Sequence, residues 1–297
     1  MRKRRTWKER VISFSITFCI GFLLVGVAMF IFQRKLIYHP RPYLREDFAT
    51  LRSMNPPGRE IEFSTSCGRQ TAFYVPLFGE SFSARPRRLW VMFCGNAMRA
   101  LDWLYFVEDV QAAAAQTSST RLRDCAFLLV DYPGYGSCAG SPSRSGIAES
   151  GAGAIAALAK EFTTGSAGLE TDLNVLGLSI GTAAALEFAT KHPVKRVVLL
   201  APFDTLREVA GRVVGPLSYL LRDRFDNSAR LHELIARNPP PDLFMFHGDA
   251  DSIVPVAIAR RLARNFPEVK YHEIPQADHN NVLDAAEHGI IKILGES

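Results

Sequence analysis

The chain has 297 residues, 47% hydrophobic and 22% charged, a balance that excludes disordered, collagenous and disulfide-stapled polypeptides. That length suits one large α/β domain. The formal charge is +5, but Arg2, Lys3, Arg4, Arg5, Lys8 and Arg10 against Glu9 alone account for all of it. The chain from residue 11 onward is neutral, so no nucleic-acid partner is expected.

Residues 11–32, VISFSITFCIGFLLVGVAMFIF, carry no charge. As a helix this run is about 33 Å long, enough to cross a hydrocarbon core of about 30 Å. It exceeds the apolar region of a cleaved signal peptide and ends without a small-x-small site, so an uncleaved anchor over 11–33 is expected. Six basic residues precede the run, and Arg34, Lys35, Arg41 and Arg45 follow it. By the positive-inside rule, residues 1–10 are cytoplasmic and the remainder extracytoplasmic, a single-pass topology. Cys67, Cys94, Cys125 and Cys138 would then face an oxidising compartment, with room for one disulfide, while Cys19 lies in the anchor. No Cys/His cluster has zinc spacing, so neither a metal nor a cofactor is expected.

Residues 33–55 read as a polar connecting stretch that closes on Pro56-Pro57-Gly58. The organisation is thus a basic segment 1–10, an anchor 11–33, a connecting segment 34–58 and one globular domain 59–297. Residues 60–66 and 70–77 predict two short strands joined by a hairpin at Cys67-Gly68-Arg69. LWVMF (89–93) and AFLLV (126–130) are continuous apolar runs, as strands buried on both faces require. Further strands are expected at 173–178, 197–200, 243–246 and 271–274. Helical patterns cover 101–115, 143–162, 180–191, 256–265 and 282–294. The alternation predicts an α/β fold with a mostly parallel, eight-stranded sheet flanked by helices. Residues 203–237 exceed a simple crossover and are expected to hold helices over the C-terminal edge of the sheet.

Gly177-Leu178-Ser179-Ile180-Gly181 is a G-x-S-x-G pentapeptide set between a β-rich run and the helical sequence TAAAL. In that context Gly177 and Gly181 form an elbow that projects the Ser179 hydroxyl above the sheet and aims the Ile180 N–H at a developing oxyanion. A serine needs a base. Of the histidines at 39, 192, 232, 247, 272, 279 and 288, His279 stands in a loop-like stretch after the last strand, where a mobile base belongs. Asp249 and Asp251 share the loop after residues 243–246, and Asp204 is a third candidate for the acid. The loop Cys94-Gly95-Asn96-Ala97 would supply the second oxyanion donor from the Asn96 N–H, ahead of Ala97.

These features resemble the α/β-hydrolases, in particular membrane-anchored bud-emergence-like proteins and mammalian α/β-hydrolase-domain serine hydrolases. The likeness is carried by Lys35-Leu36-Ile37-Tyr38-His39-Pro40, Cys94-Gly95-Asn96-Ala97, Val130-Asp131-Tyr132-Pro133-Gly134-Tyr135-Gly136 and Gly140-Ser141-Pro142-Ser143. It continues through the G-x-S-x-G elbow, Ala201-Pro202-Phe203, residues 247–255 and Asp278-His279-Asn280. The resemblance implies a Ser179–His279–Asp251 triad, with Asp251 chosen because the family pattern runs His-Gly, two residues, then the acid, and ends in Val-Pro. Cys94 departs from the histidine usual there, which implies a changed acyl-pocket shape. The activity implied is hydrolysis of a carboxylic ester or thioester through an acyl-enzyme, on a small-molecule or lipid-like acyl substrate. Peptide or amide cleavage by the same residues is the alternative. A non-catalytic interaction protein on the membrane surface is the reading from a different class.

Overall fold

The computed structural model describes residues 6–78, 86–117, 120–162 and 171–296. The first five positions of the basic segment, and the last residue of the globular domain, lie outside that range. A single long helix, α1 (Trp7–Ile37), opens the chain; Thr6 caps it by accepting from the Glu9 N–H. It is long and apolar enough to cross a membrane, and only Gly26 and Gln33 of its residues are buried. The helix runs past the expected end of the anchor because Gln33, Arg34, Lys35 and Leu36 are all good helix formers. It stops at Tyr38, whose extended backbone turns the ring into the core. The connecting segment also holds a short helix, α2 (Asp47–Ser53), where no element was expected.

Strands β1 (Arg59–Thr65) and β2 (Gly68–Pro76) form the expected hairpin, with Gly68 at φ 100° at the turn. β3 (Arg88–Phe93) precedes a 3₁₀ turn at Ala100–Trp103, helices α3 (Leu104–Gln116) and α4 (Thr120–Arg123), and β4 (Cys125–Val130). Then follow α5 (Arg144–Glu161), β5 (Asp172–Leu178), α6 (Ile180–Lys191) and β6 (Arg196–Leu200). Residues 203–237 do hold helices: α7 (Leu206–Val214), a 3₁₀ turn at Gly215–Leu220, and α8 (Asn227–Ile235). β7 (Asp242–Gly248), α9 (Val256–Asn265), β8 (Val269–Ile274) and α10 (Val282–Gly295) complete the described chain.

The eight strands order as β1-β2-β4-β3-β5-β6-β7-β8. β1–β2 and β2–β4 are antiparallel, and every other pair is parallel. Every residue of β4 and β6 is buried, which is why those strands read as unbroken apolar runs. Parallel pairing brings β3, β5, β6, β7 and β8 out at one edge, so the loops after them share one crevice. None of the five cysteines is disulfide-bonded.

The connecting segment is tied to the sheet by Asp131, which follows β4. Its carboxylate accepts from the Ala100 N–H at 2.7 Å and from the Tyr43 hydroxyl at 2.8 Å. Burial pushes the Asp131 pKa up to about 7 against the pull of those donors. A folded pKa above the unfolded one means the native state holds a proton that the unfolded chain has released. The stabilisation is therefore complete below about 4 and lost as pH rises through about 7. Urea unfolding at pH 5 and pH 8 should show a loss of stability in the native protein that shrinks in Asp131→Asn. Equal losses in the two proteins would remove Asp131 as the source.

Candidate active site

The turn from β5 into α6 is sharp because Ser179 takes a left-handed backbone, φ 53° and ψ −117°. The strain thus falls on the serine itself rather than on the glycines beside it. Gly177 and Gly181 serve a different end, since a Cβ on the first would strike the Gly181 carbonyl and one on the second the Phe93 carbonyl. The Ser179 N–H donates to Leu200 O at 2.8 Å, and the Thr182 hydroxyl donates back to Ser179 O at 2.6 Å. Asn227, buried on α8, donates to the Thr182 hydroxyl at 3.1 Å and to Phe203 O at 2.8 Å.

His279 lies in the loop between β8 and α10. Its Nε2 is 2.9 Å from Ser179 Oγ and its Nδ1 2.7 Å from Asp251 Oδ2. Residues 100 positions apart in sequence are thus within hydrogen-bond reach. The other Asp251 oxygen accepts from the Ile253 and Val254 N–H groups at 2.9 and 2.8 Å. Burial by itself would raise the Asp251 carboxyl, but hydrogen bonds from His247 and His279 outweigh it and hold the group well below the usual carboxylate range.

The two competing acids are placed elsewhere. Asp249 accepts from the Gln276 N–H at 2.7 Å and so caps the turn after β8. Asp204 bonds the Ser228 hydroxyl and pairs with Arg261 at 3.2 Å. Among the remaining histidines, His192, His232 and His272 pack on Phe188, Phe266 and Phe246. His39 lines the cavity over Ser179.

Ile180 opens α6, where a backbone N–H has no acceptor within its own helix. Gly95, Asn96 and Ala97 line the same cavity from the end of β3. The Ala97 N–H is already taken by Asn96 Oδ1 at 3.0 Å, which separates the two candidate donors of that loop. Cys94 does not line the cavity. Its buried thiol turns to Val130 O at 3.7 Å, so the departure at this position reshapes the packing under the loop rather than the pocket.

His247 was not foreseen as part of the site. It ends β7 fully buried, with Nε2 2.7 Å from Val254 O and 3.3 Å from Asp251 Oδ2. An isolated histidine at the end of an apolar strand gave no cue that the loop would fold back over it. A second unforeseen contribution comes from α1: Met29, Gln33, Leu36 and Ile37 wall the cavity. Nothing in the anchor's composition signals this. Among the described residues no group of acidic, cysteine or histidine side chains is placed to hold a metal ion.

No protein-family profile matches the chain. An uncharacterized protein of Mycobacterium tuberculosis, Rv2307c, is 29% identical over 279 residues, covering 92% of this chain and 90% of the relative. The α/β hydrolase domain-containing protein WAV2 of Arabidopsis thaliana is 24% identical over 283 residues, covering 87% and 85%. Among solved structures, an α-β hydrolase from Vibrio vulnificus superposes with a TM-score of 0.64 at 15% identity, covering 89% of this chain and 92% of its own. The Pyrococcus furiosus esterase Pf2001 superposes with a TM-score of 0.60 at 12% identity, covering 87% and 96%. By sheet order and by superposition, the chain has the α/β-hydrolase fold.

Proposed function

We propose that the protein is a membrane-anchored serine hydrolase that cleaves carboxylic esters or thioesters. The observation that carries this reading is the unbroken line Ser179 Oγ–His279–Asp251, with spacings of 2.9 and 2.7 Å, whose Ser179 and His279 line an apolar cavity. His279 Nε2 takes the Ser179 proton as Oγ attacks the substrate carbonyl. Asp251, ionised at neutral pH, holds the Nδ1–H tautomer and stabilises the imidazolium that forms. The N–H groups of Ile180 and Asn96 receive the oxyanion. Collapse of the tetrahedral intermediate expels the alcohol or thiol, which leaves with the proton from Nε2. Water then repeats the sequence on the acyl-enzyme, releasing the acid and restoring Ser179.

His247 is a positioning residue in this scheme, since it touches Asp251 and not the reacting atoms. Apolar lining from Leu178, Phe203, Leu206, Val209 and Val254 favours an acyl group over a polar peptide. α1 anchors the domain, with residues 1–10 on the cytoplasmic side and the site on the other, in keeping with the excess of basic residues before the span.

Ser179→Ala should stay folded while turnover of an aryl ester falls at least about 10³-fold and covalent fluorophosphonate labelling disappears. Retained turnover would reassign the nucleophile. Asp251→Asn should lose up to about 10⁴ in turnover, because the imidazole is left in the wrong tautomer. Asp249→Asn and Asp204→Asn should cost on the order of 1 kcal/mol of stability and little activity. A collapse confined to either of those two would move the acid there. Protease added from the non-cytoplasmic side of sealed membranes should digest the globular domain; protection of that domain beside an accessible N-terminus would invert the topology.

A further inference from the structure

The cavity over Ser179 has a volume of about 540 Å³, within the range that holds one drug-sized ligand. Met29, Gln33 and Leu36 of α1 and Val209 and Val213 of α7 all line it. Met29 belongs to the uncharged run, so the cavity extends to the level of the span itself.

The segment after α7 is fastened to that level. A Cβ at Gly26 would lie 3.6 Å from Leu220 and 3.8 Å from Leu217, ordinary contact distances that place the 3₁₀ turn against this level of α1. About two turns up the helix, Gln33 donates to Leu220 O at 3.3 Å and accepts from the Arg222 N–H at 2.6 Å. Arg34 then pairs with the buried Asp223 at 3.1 Å. Gly26 lies about 9 Å down the helix axis from Phe32, the last residue of the uncharged run, at 1.5 Å per residue. With α1 in a membrane, Leu217 and Leu220 are therefore held below the headgroups, at the depth interfacial helices reach.

The surface around them fits that setting. α7 and the 3₁₀ turn bury no hydrophobic side chain, and Val213 and Tyr219 are 84% and 68% exposed. The guanidinium of Arg222 lies 5.6 Å over the Phe30 ring and that of Arg207 5.0 Å over the Tyr219 ring, two cation–π contacts that set positive charge beside the exposed apolar side chains, where lipid phosphates would lie.

We propose that residues 206–221 sit in the same leaflet as the end of α1, and that the cavity takes a long acyl chain of a bilayer lipid ester laterally, between α1 and α7, onto Ser179. The substrate class is thus a membrane lipid ester rather than a soluble one, which rests on the serine-hydrolase reading above. The ester and one water yield a fatty acid and the parent alcohol: the alcohol departs with the proton His279 took from Ser179, and the water's proton returns to Ser179.

Full-length protein in vesicles of phosphatidylcholine and phosphatidylglycerol tests this, with monooleoylglycerol as the membrane ester and p-nitrophenyl butyrate as the soluble one. Tyr219 does not line the cavity, so Tyr219→Asp should keep the butyrate rate within about twofold while oleate release falls at least about fivefold. Equal effects on the two substrates, or butyrate turnover without oleate release, would overturn the lipid assignment and leave the hydrolase reading standing. Absence of Ser179-dependent turnover and of fluorophosphonate labelling would remove both. A readout independent of catalysis uses bimane on Tyr219→Cys in a Cys19→Ser, Cys67→Ser background. Quenching by nitroxide lipids is expected; quenching by aqueous iodide alone would refute insertion whatever the activity.

Discussion

The close approach of the β5–α6 turn to the end of β3 is the constraint on which the site depends. Gly181 lies so near the Phe93 and Cys94 carbonyls that a methyl group has no room, and this brings the first turn of α6 beside the Gly95-Asn96 loop. Both proposed oxyanion donors follow from that one contact. The cost is a serine with φ of 53°, a backbone state that costs about 1–3 kcal/mol in a residue bearing a Cβ. Bonds at both ends of the residue offset it, at about 1 kcal/mol each: Ser179 N–H to Leu200 O, and Thr182 to Ser179 O. α6 then buries nine of its residues, among them Leu186 and Phe188, so the strained turn is clamped between a strand and a packed helix.

Electrostatics impose the second requirement. A carboxylate as buried as Asp251 is stable in its charged form only if its lone pairs are met. Two backbone N–H groups serve Oδ1, and His279 with His247 serves Oδ2. The loop that supplies the N–H groups is itself held by His247 through Val254 O, so the strand end, the loop and the acid form one hydrogen-bonded unit. This is why Asp251 is the carboxylate that reaches His279 and not Asp249, which is committed to the turn after β8.

How much of this was legible in the sequence depended on the range of the interactions involved. The parallel strands were readable because burial on both faces leaves runs such as AFLLV without a polar break. The elbow was readable because its demands are local. The choice between Asp249 and Asp251 was not, since both sit in one loop and only the fold of that loop separates them; the family resemblance supplied it. The roles of Asp131, His247 and Asn227 were hidden because each is defined by a partner brought near only by folding. The helix α2 and the extension of α1 were obscured by the prolines and polar residues of the connecting segment, which read as loop.

The largest illegible feature is the relation of α1 to the domain, and its consequence is mechanical. A span followed by a polar, proline-bearing stretch reads as a tether, yet the bonds from Gln33 and Arg34 reach 187 and 189 residues along the chain. Asn96 ties the two more closely still. Its Nδ2 donates to Ile37 O at 2.6 Å, while its Oδ1 accepts from the His39 N–H at 3.1 Å and the Tyr135 hydroxyl at 3.1 Å. The side chain that closes the end of α1 therefore belongs to the residue whose backbone N–H is the proposed oxyanion donor. α1 cannot swing against the domain without giving up those bonds and the Arg34–Asp223 pair, which would leave a carboxylate buried without its cation. Helix α1, the cavity wall and the Gly95-Asn96 loop are accordingly held as one body, and the tilt of the helix fixes how the cavity is presented to whatever surrounds it.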